Sequence, residues 1–291
     1  MKSDVLTPES VLDQLSRNST PYLDPLARIN WQALDMDSFW LPEQALSLYG
    51  VPEFMNCPRE QRIKLSQYEF INLLEMNLCL ETALMSRLCD SLHAQTLRHP
   101  LASYRLHELR EEAGHSLMFL QLIKQSRLER VTWKARQSGV FSWLRKHAAL
   151  DSPLYWALTL MVEELPDRIH RQLLRDEHML CPVIVDLTRI HVIDESRHIT
   201  HANQTLATIM TGLNRWQKAT LRWILQRLAN QFIRSCYFPG TEVYDLAGLM
   251  PGRSWANLAW GNRHRHQWIR QQLATTLRPL KDNGVVLRWT K

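Results

Sequence analysis

The chain has 291 residues, 45% hydrophobic and 22% charged, with a net charge of +6, enough for one large core or two modest ones. It contains no apolar run of the roughly 18 residues a membrane span needs, and "MKSDVLTPES" lacks the apolar stretch of a secretory signal, so neither is expected. Five scattered cysteines (57, 79, 89, 181, 236) without a CxxC pair argue against a disulfide framework or structural zinc and fit a reducing cytoplasm.

Residues 1 to about 58 are interrupted by proline and read as short helices and loops packing on something else. A long helix is expected from Arg59 to about Gln95, with Leu74, Leu78, Met85, Leu88 and Leu92 on its apolar stripe. "RHP" at 98–100 breaks it, a second helix covers about 101–127, and a less regular helix or pair follows through "VTWKARQSGVFSWLRKH". Asp151 or Ser152 can cap a third long helix, with Pro153 in its first turn, running to about Met179. A fourth runs from about 182 to 210, and amphipathic helices and a Pro/Gly-containing tail complete the chain. Strand patterns are nearly absent, so the fold class is all-α, with the four long helices forming a bundle.

Chemistry concentrates in "HVIDESRHITH", residues 191–201. His191, Glu195 and His198 lie at i, i+4 and i+7 and so share one helical stripe beside the apolar Val192, Ile193 and Ile199. Glu195 and His198 form Glu-x-x-His, and "LREEAGHSLMF" repeats the unit as Glu112 and His115. One such pair arises easily by chance; two on long helices of one bundle suggest a dinuclear carboxylate site, which requires one inward glutamate from each remaining helix. Glu81 sits in the apolar stripe of the first helix, and Glu163 and Glu164 are the candidates on the third. Glu81 to Glu112 and Glu164 to Glu195 are both 31 residues, which would place each pair at equal depth in an antiparallel hairpin. Glu163 stays open as a rival, because Pro166 disturbs the helix beside it. Glu75 falls off the stripe and reads as surface or as lying just behind the ligands.

Four carboxylates would balance two divalent cations, and oxygen and nitrogen donors without thiolate suit iron or manganese rather than structural zinc. His191 reads from the residues either as a further ligand or as a core histidine. His107, His170 and His201 read as surface or supporting residues. With nine glycines and no GxGxxG, Walker-type loop or GxSxG, the chain offers little to cradle a nucleotide. The nearest basic stretch with an aromatic, "NRHRHQWIRQQ", reads as a solvated helix end, so no nucleic-acid partner is expected. The eleven tryptophans suggest a bulky aromatic core or a pocket wall.

The two halves resemble ferritin-like diiron oxygenases, and "HVIDESRH", with its extra histidine four before the glutamate, resembles the p-aminobenzoate N-oxygenase family over roughly residues 65–210. The resemblance implies a ferritin-like domain over 59–291, with the metal-binding bundle at about 65–210, C-terminal helices at 213–291, and residues 1–58 packed on it. It implies seven ligands to two iron ions: Glu81, Glu112, His115, Glu164, His191, Glu195 and His198. Asp194 would orient His115 and Glu111 would orient His198, although the family's usual acid before the first ligand glutamate is Asp rather than Glu. The implied activity is O2-dependent N-oxygenation of a small-molecule amine, an arylamine or an amino-acid-derived one, towards hydroxylamine, nitroso or nitro, fitting secondary-metabolite biosynthesis, with electrons from an external reductase or reductant. Arg168 and Arg171 are candidates to hold a substrate carboxylate, and the resemblance implies a homodimer. The rival readings are a C–H hydroxylase or desaturase on the same site, a non-catalytic iron-binding bundle, and a metal-free helical scaffold.

Overall fold

A computed structural model describes residues 8–94, 100–129, 149, 152–274 and 276–289. Among these the regular elements are helices and short 3-10 turns, with one isolated bridge between Phe39 and Leu180. Three short helices come first: α1 (Pro8–Ser19), α2 (Pro25–Arg28) and α3 (Pro52–Met55). The four long ones are α4 (Arg59–Ala94), α5 (Pro100–Ser126), α6 (Pro153–Leu173) and α7 (Pro182–Thr211). After them come α8 (Arg215–Tyr237), α9 (Thr241–Leu246), α10 (Gly252–Gly261), α11 (Arg263–Ala274) and α12 (Arg278–Asp282). The less regular helix expected over 131–147 lies outside the described residues.

Helix α4 has no glycine or proline in its 36 residues, which permits a rod of about 54 Å. Its segment 65–77 is buried on every side, so Glu75 is only 7% exposed rather than on the surface. Deeper along the rod the inward stripe is Leu74, Asn77, Glu81, Leu84 and Leu88, while Leu78, Met85 and Leu92 are only partly buried. The Ser152 side chain accepts from the Tyr155 backbone N–H at 3.1 Å and caps α6, with Pro153 in the first turn. That helix stops at Leu173, about six residues before its expected end, and a 3-10 turn at Glu177–Met179 leads to α7. The early stop lets Leu180 and Cys181 run alongside Phe39, whose carbonyl accepts from the Cys181 N–H at 3.0 Å.

Helices α4 and α5 pack as one hairpin and α6 and α7 as a second, while α5 touches α7 across the bundle. The flanking segments close it. Trp40, Leu46 and Phe54 are fully buried, α1 and α2 lie on α5, and α8 lies on α6 and α4. The basic stretch near the C-terminus is a core element rather than a solvated helix end. Arg265, His266, Trp268 and Ile269 are buried, and the Arg265 guanidinium donates to the Tyr237 and Ala45 carbonyls. No described helix is long and apolar enough to cross a membrane.

One close approach constrains α5 beside its ligand candidates. A Cβ on Gly114 would lie 2.8 Å from the Tyr22 hydroxyl and 2.9 Å from the rigid Pro25 ring. Gly114→Ala removes the glycine penalty of about 1 kcal/mol but overpacks at a cost of about 1–3 kcal/mol. A net loss on the order of 1 kcal/mol in denaturant unfolding is therefore expected; an equally stable variant would contradict the tight seating of α2 on α5.

Candidate metal centre

Seven acidic and imidazole side chains from α4 to α7 converge at one level of the bundle. Glu112 and Glu195 stand at the middle. Glu112 lies 3.7 Å from His115 Nδ1 and 2.9 Å from His198 Nδ1, and Glu195 lies 3.4 Å from each of those nitrogens and 3.5 Å from His191 Nε2. On α4, Glu81 Oε1 is 3.7 Å from His191 Nε2, and its Oε2 accepts from the Ser116 hydroxyl at 2.6 Å. Ligand atoms of Glu81, His115 and His191 fall within 4.8 Å of one another, as do those of Glu112, His115 and Glu195. All seven positions, Glu163 included, are at most 8% exposed.

On α6 the carboxyl that meets the cluster is that of Glu163. The Glu163 carboxyl shares a hydrogen bond with Glu195, and burial, then the Glu195 and Glu112 charges, hold it well above the usual range. Glu164 turns away: it accepts from the Leu277 backbone N–H and bonds Asn203. The same phase carries the two arginines off the site. Arg171 donates to Asp167 at 2.6 Å and is 42% exposed, and Arg168 stands beside Glu164.

Behind the cluster lies a second layer of charge. Asp194 Oδ2 is 3.2 Å from His115 Nε2, and Glu111 Oε2 is 3.0 Å from His198 Nε2, so both rings turn Nδ1 inward. Arg197 donates to both acids, at 2.5 Å to Asp194 and 2.8 Å to Glu111. Such partners fix ring orientation and raise ligand basicity. On the far side, Glu108 Oε2 lies 3.8 Å from His201 Nδ1. Burial pushes Glu108 up to about 7, and burial, then the Arg105 charge, pushes His201 down to about 3. His170 is also buried, against His191, while His107 is partly exposed. Arg197, Ser116 and Glu108 did not stand out in the sequence. Their signals were helical offsets: Arg197 follows Asp194 by three, and Glu108 precedes Glu112 by four.

These residues fit a metal. Glu81 Oε1, both Glu112 oxygens, His115 Nδ1, Glu195 Oε2 and His198 Nδ1 are buried without a hydrogen-bond partner, although several lie within ion-pairing distance. Close atoms that fail to align with one another are aimed at a common third body, and buried polar groups are otherwise satisfied. Without a cation, protons share the charge. Burial, then Glu112, holds Glu81 well above its usual range. Burial opposes the charged rings, but Asp194, Glu112 and Glu195 hold His115 far above an ordinary imidazole, and Glu195, Glu112 and Glu111 do the same for His198. Burial raises Glu112 too, yet His198 and then His115 draw it down to about 2.

Beside the cluster is a small cavity of about 20 Å³, lined by Asn77, Leu80, Glu81 and Leu84 of α4, Val162, Glu163 and Pro166 of α6, and His191 and Glu195 of α7. Pro166 has no N–H for the Val162 carbonyl, so the helix ladder is open at the cavity wall.

An all-α bundle with paired carboxylate–imidazole helices defines the ferritin-like class. The chain belongs to the p-aminobenzoate N-oxygenase AurF family, which it matches over residues 6–284; this is a family of diiron oxygenases. Two similar proteins, one from Mycobacterium bovis and one from Mycobacterium tuberculosis H37Rv, are each 27% identical over 276 residues, covering 93% of this chain and 79% of theirs. Both are described only as uncharacterized proteins.

Cation binding here must displace the protons held by Glu81, Glu163, His115 and His198. Burial and the neighbouring carboxylates raise Glu81 and Glu163, and the carboxylates around them raise His115 and His198, so all four hold protons more tightly than the free side chains do. Affinity for Mn(II) or Fe(II) should therefore rise with increasing pH, with proton release into the buffer. Anaerobic calorimetry in buffers of different ionisation enthalpy measures both, and a pH-independent affinity would refute the assignment of these protons.

Proposed function

We propose that this protein is a non-haem diiron N-oxygenase, which uses O2 and electrons from an external reductant to oxidise an amine towards hydroxylamine, nitroso or nitro. The observation that carries this reading is the third imidazole, His191. Its Nε2 joins the same ring of donors as Glu81 and Glu195, in a chain of the N-oxygenase family. The ligands would be Glu81, Glu112, His115, Glu163, His191, Glu195 and His198, with Glu163 taking the place first given to Glu164. Iron fits the oxygen-and-nitrogen donor set and the family; manganese shares the donor preference.

Two bound iron ions would supply the redox chemistry that reduces O2. The protein's own residues do the rest. Glu112 and Glu195, each near two or more imidazoles, would hold the ions from the middle of the cluster, and Glu81 and Glu163 would hold them from the cavity side. Asp194, Glu111 and Arg197 keep His115 and His198 turned inward. Leu80, Leu84, Val162 and Pro166 exclude water from the face where an amine would approach. Asn77, 4% exposed, faces that cavity with no hydrogen bond among the described residues, and is the group best placed to orient the amine. Arg168 and Arg171 lie away from the cavity wall, so substrate recognition falls to Asn77 and the apolar lining. A homodimer and a role in secondary-metabolite biosynthesis, on family resemblance, and a cytoplasmic setting, on the scattered cysteines, complete the proposal.

Two measurements test it. Glu163→Ala should lower tightly bound Fe(II) from two equivalents towards one, while Glu164→Ala keeps two; the reverse would restore Glu164 as the ligand. Anaerobic loading with Fe(II), exposure to O2 and a panel of aryl and alkyl amines should yield N-oxygenated product by mass spectrometry. Two irons bound and O2 consumed, with only C–H hydroxylation or desaturation products, would reject the N-oxygenase reading in favour of its closest rival.

A further inference from the structure

Each of the three imidazoles at the centre has one nitrogen inside the cluster and one outside it. For His115 and His198 the inner nitrogen is Nδ1, and the outer Nε2 meets a carboxylate. His191 is reversed. Its Nε2 points inward, 3.7 Å from Glu81 and 3.5 Å from Glu195, and its Nδ1 lies 3.1 Å from Nδ1 of His170. The two rings meet edge to face, with centroids 4.7 Å apart. His170 is 2% exposed and follows Glu163 by seven residues on α6, so the same helix face presents both.

Two facing Nδ1 atoms form a hydrogen bond only when one carries the proton. If His191 Nε2 is to offer a lone pair to a metal, its proton must reside on Nδ1. His170 Nδ1 is then the acceptor, and its own proton sits on Nε2. We propose that His170 is a positioning residue that fixes the metal-binding tautomer of His191. As an uncharged acceptor, it also leaves His191 a weaker donor than the two carboxylate-backed histidines. A carboxylate behind a ligand histidine raises its basicity, whereas a neutral imidazole withdraws the proton far less. The ion held by His191 is therefore the more loosely bound of the two, on the side where the cavity lies. This rests on the diiron reading and adds to it the source of an asymmetry between the two ions.

The test uses full-length protein and cobalt(II), whose visible absorption reports ligand field without turnover. Wild type should bind two equivalents with unequal affinity. His170→Ala should weaken the second equivalent by about 10–100-fold and shift its absorption band. His170→Asn, whose Oδ1 can accept from the His191 Nδ1–H, should restore the affinity, and His170→Asp should exceed wild type. Thermal melts of each metal-free variant separate this effect from simple loss of fold. Unchanged second-site affinity in His170→Ala, or equal weakening in the alanine and asparagine variants, would overturn the role of His170 alone. Wild type that binds no cobalt would overturn the metal centre along with it.

Discussion

Like charges inside a dry core are the constraint on which the structure turns. Glu81, Glu112, Glu163 and Glu195 are each at most 8% exposed and close enough to repel one another. Desolvating one isolated carboxylate costs several kcal/mol even after relaxation, so four in one place need compensation. Protons do part of this in the metal-free chain, which is why Glu81, Glu163, His115 and His198 are all raised. Two divalent cations would do it better, neutralising all four acids while satisfying the oxygens and nitrogens that lack partners. Folding and metal binding are thereby coupled: α4 to α7 meet at a level where their side chains repel unless something cationic joins them.

The outer layer answers a smaller version of the same problem. Glu111 and Asp194 add two more acids, and a single guanidinium, Arg197, lies between them. That arrangement holds His115 and His198 with their proton-bearing nitrogens outward, and it spans α5 and α7. Removing one partner of such a buried pair leaves an uncompensated charge at a cost of about 3–5 kcal/mol. Arg197 thus acts through the rings it helps to aim, without reaching the cluster itself.

Much of this could be read from residues alone, and the departures have separate physical causes. Two Glu-x-x-His units and a glutamate in an apolar stripe announce an inward site because a lone buried acid has no other reason to be there. The choice of Glu164 came from counting 31 residues across a connection. Counting measures depth only if the connection is short and the helices keep phase. Between Leu173 and Pro182 the chain leaves the helix for a 3-10 turn, so equal counts do not give equal phase. The phase within α6 was the better guide: Glu163, Pro166 and His170 share one face, while Glu164, Arg168 and Arg171 lie on the next. The basic C-terminal stretch was misjudged because charge suggests solvent, whereas Arg265 spends its donors on carbonyls of two distant segments. Nothing in its local pattern reveals partners 28 and 220 residues away.

The two ends of the cluster differ in a way that gives the site a direction. Towards Glu108 and His201 the bundle is filled, with Tyr104 fully buried and Trp156 packed edge-on to His201. Towards Asn77 it opens into the cavity, where proline has removed a backbone donor and aliphatic side chains form the wall. His191 and Glu163 stand on this open side. The proposed oxygenase, which would admit both a gas and an organic molecule while excluding water, would need one dry entrance and one sealed back. It would also need an ion whose ligands yield most readily at the entrance. The imidazole backed by a neutral partner sits there, and the two backed by carboxylates keep the other face rigid. Position in the bundle and strength of donation thus vary together, and both follow from which side chain each ring finds behind it.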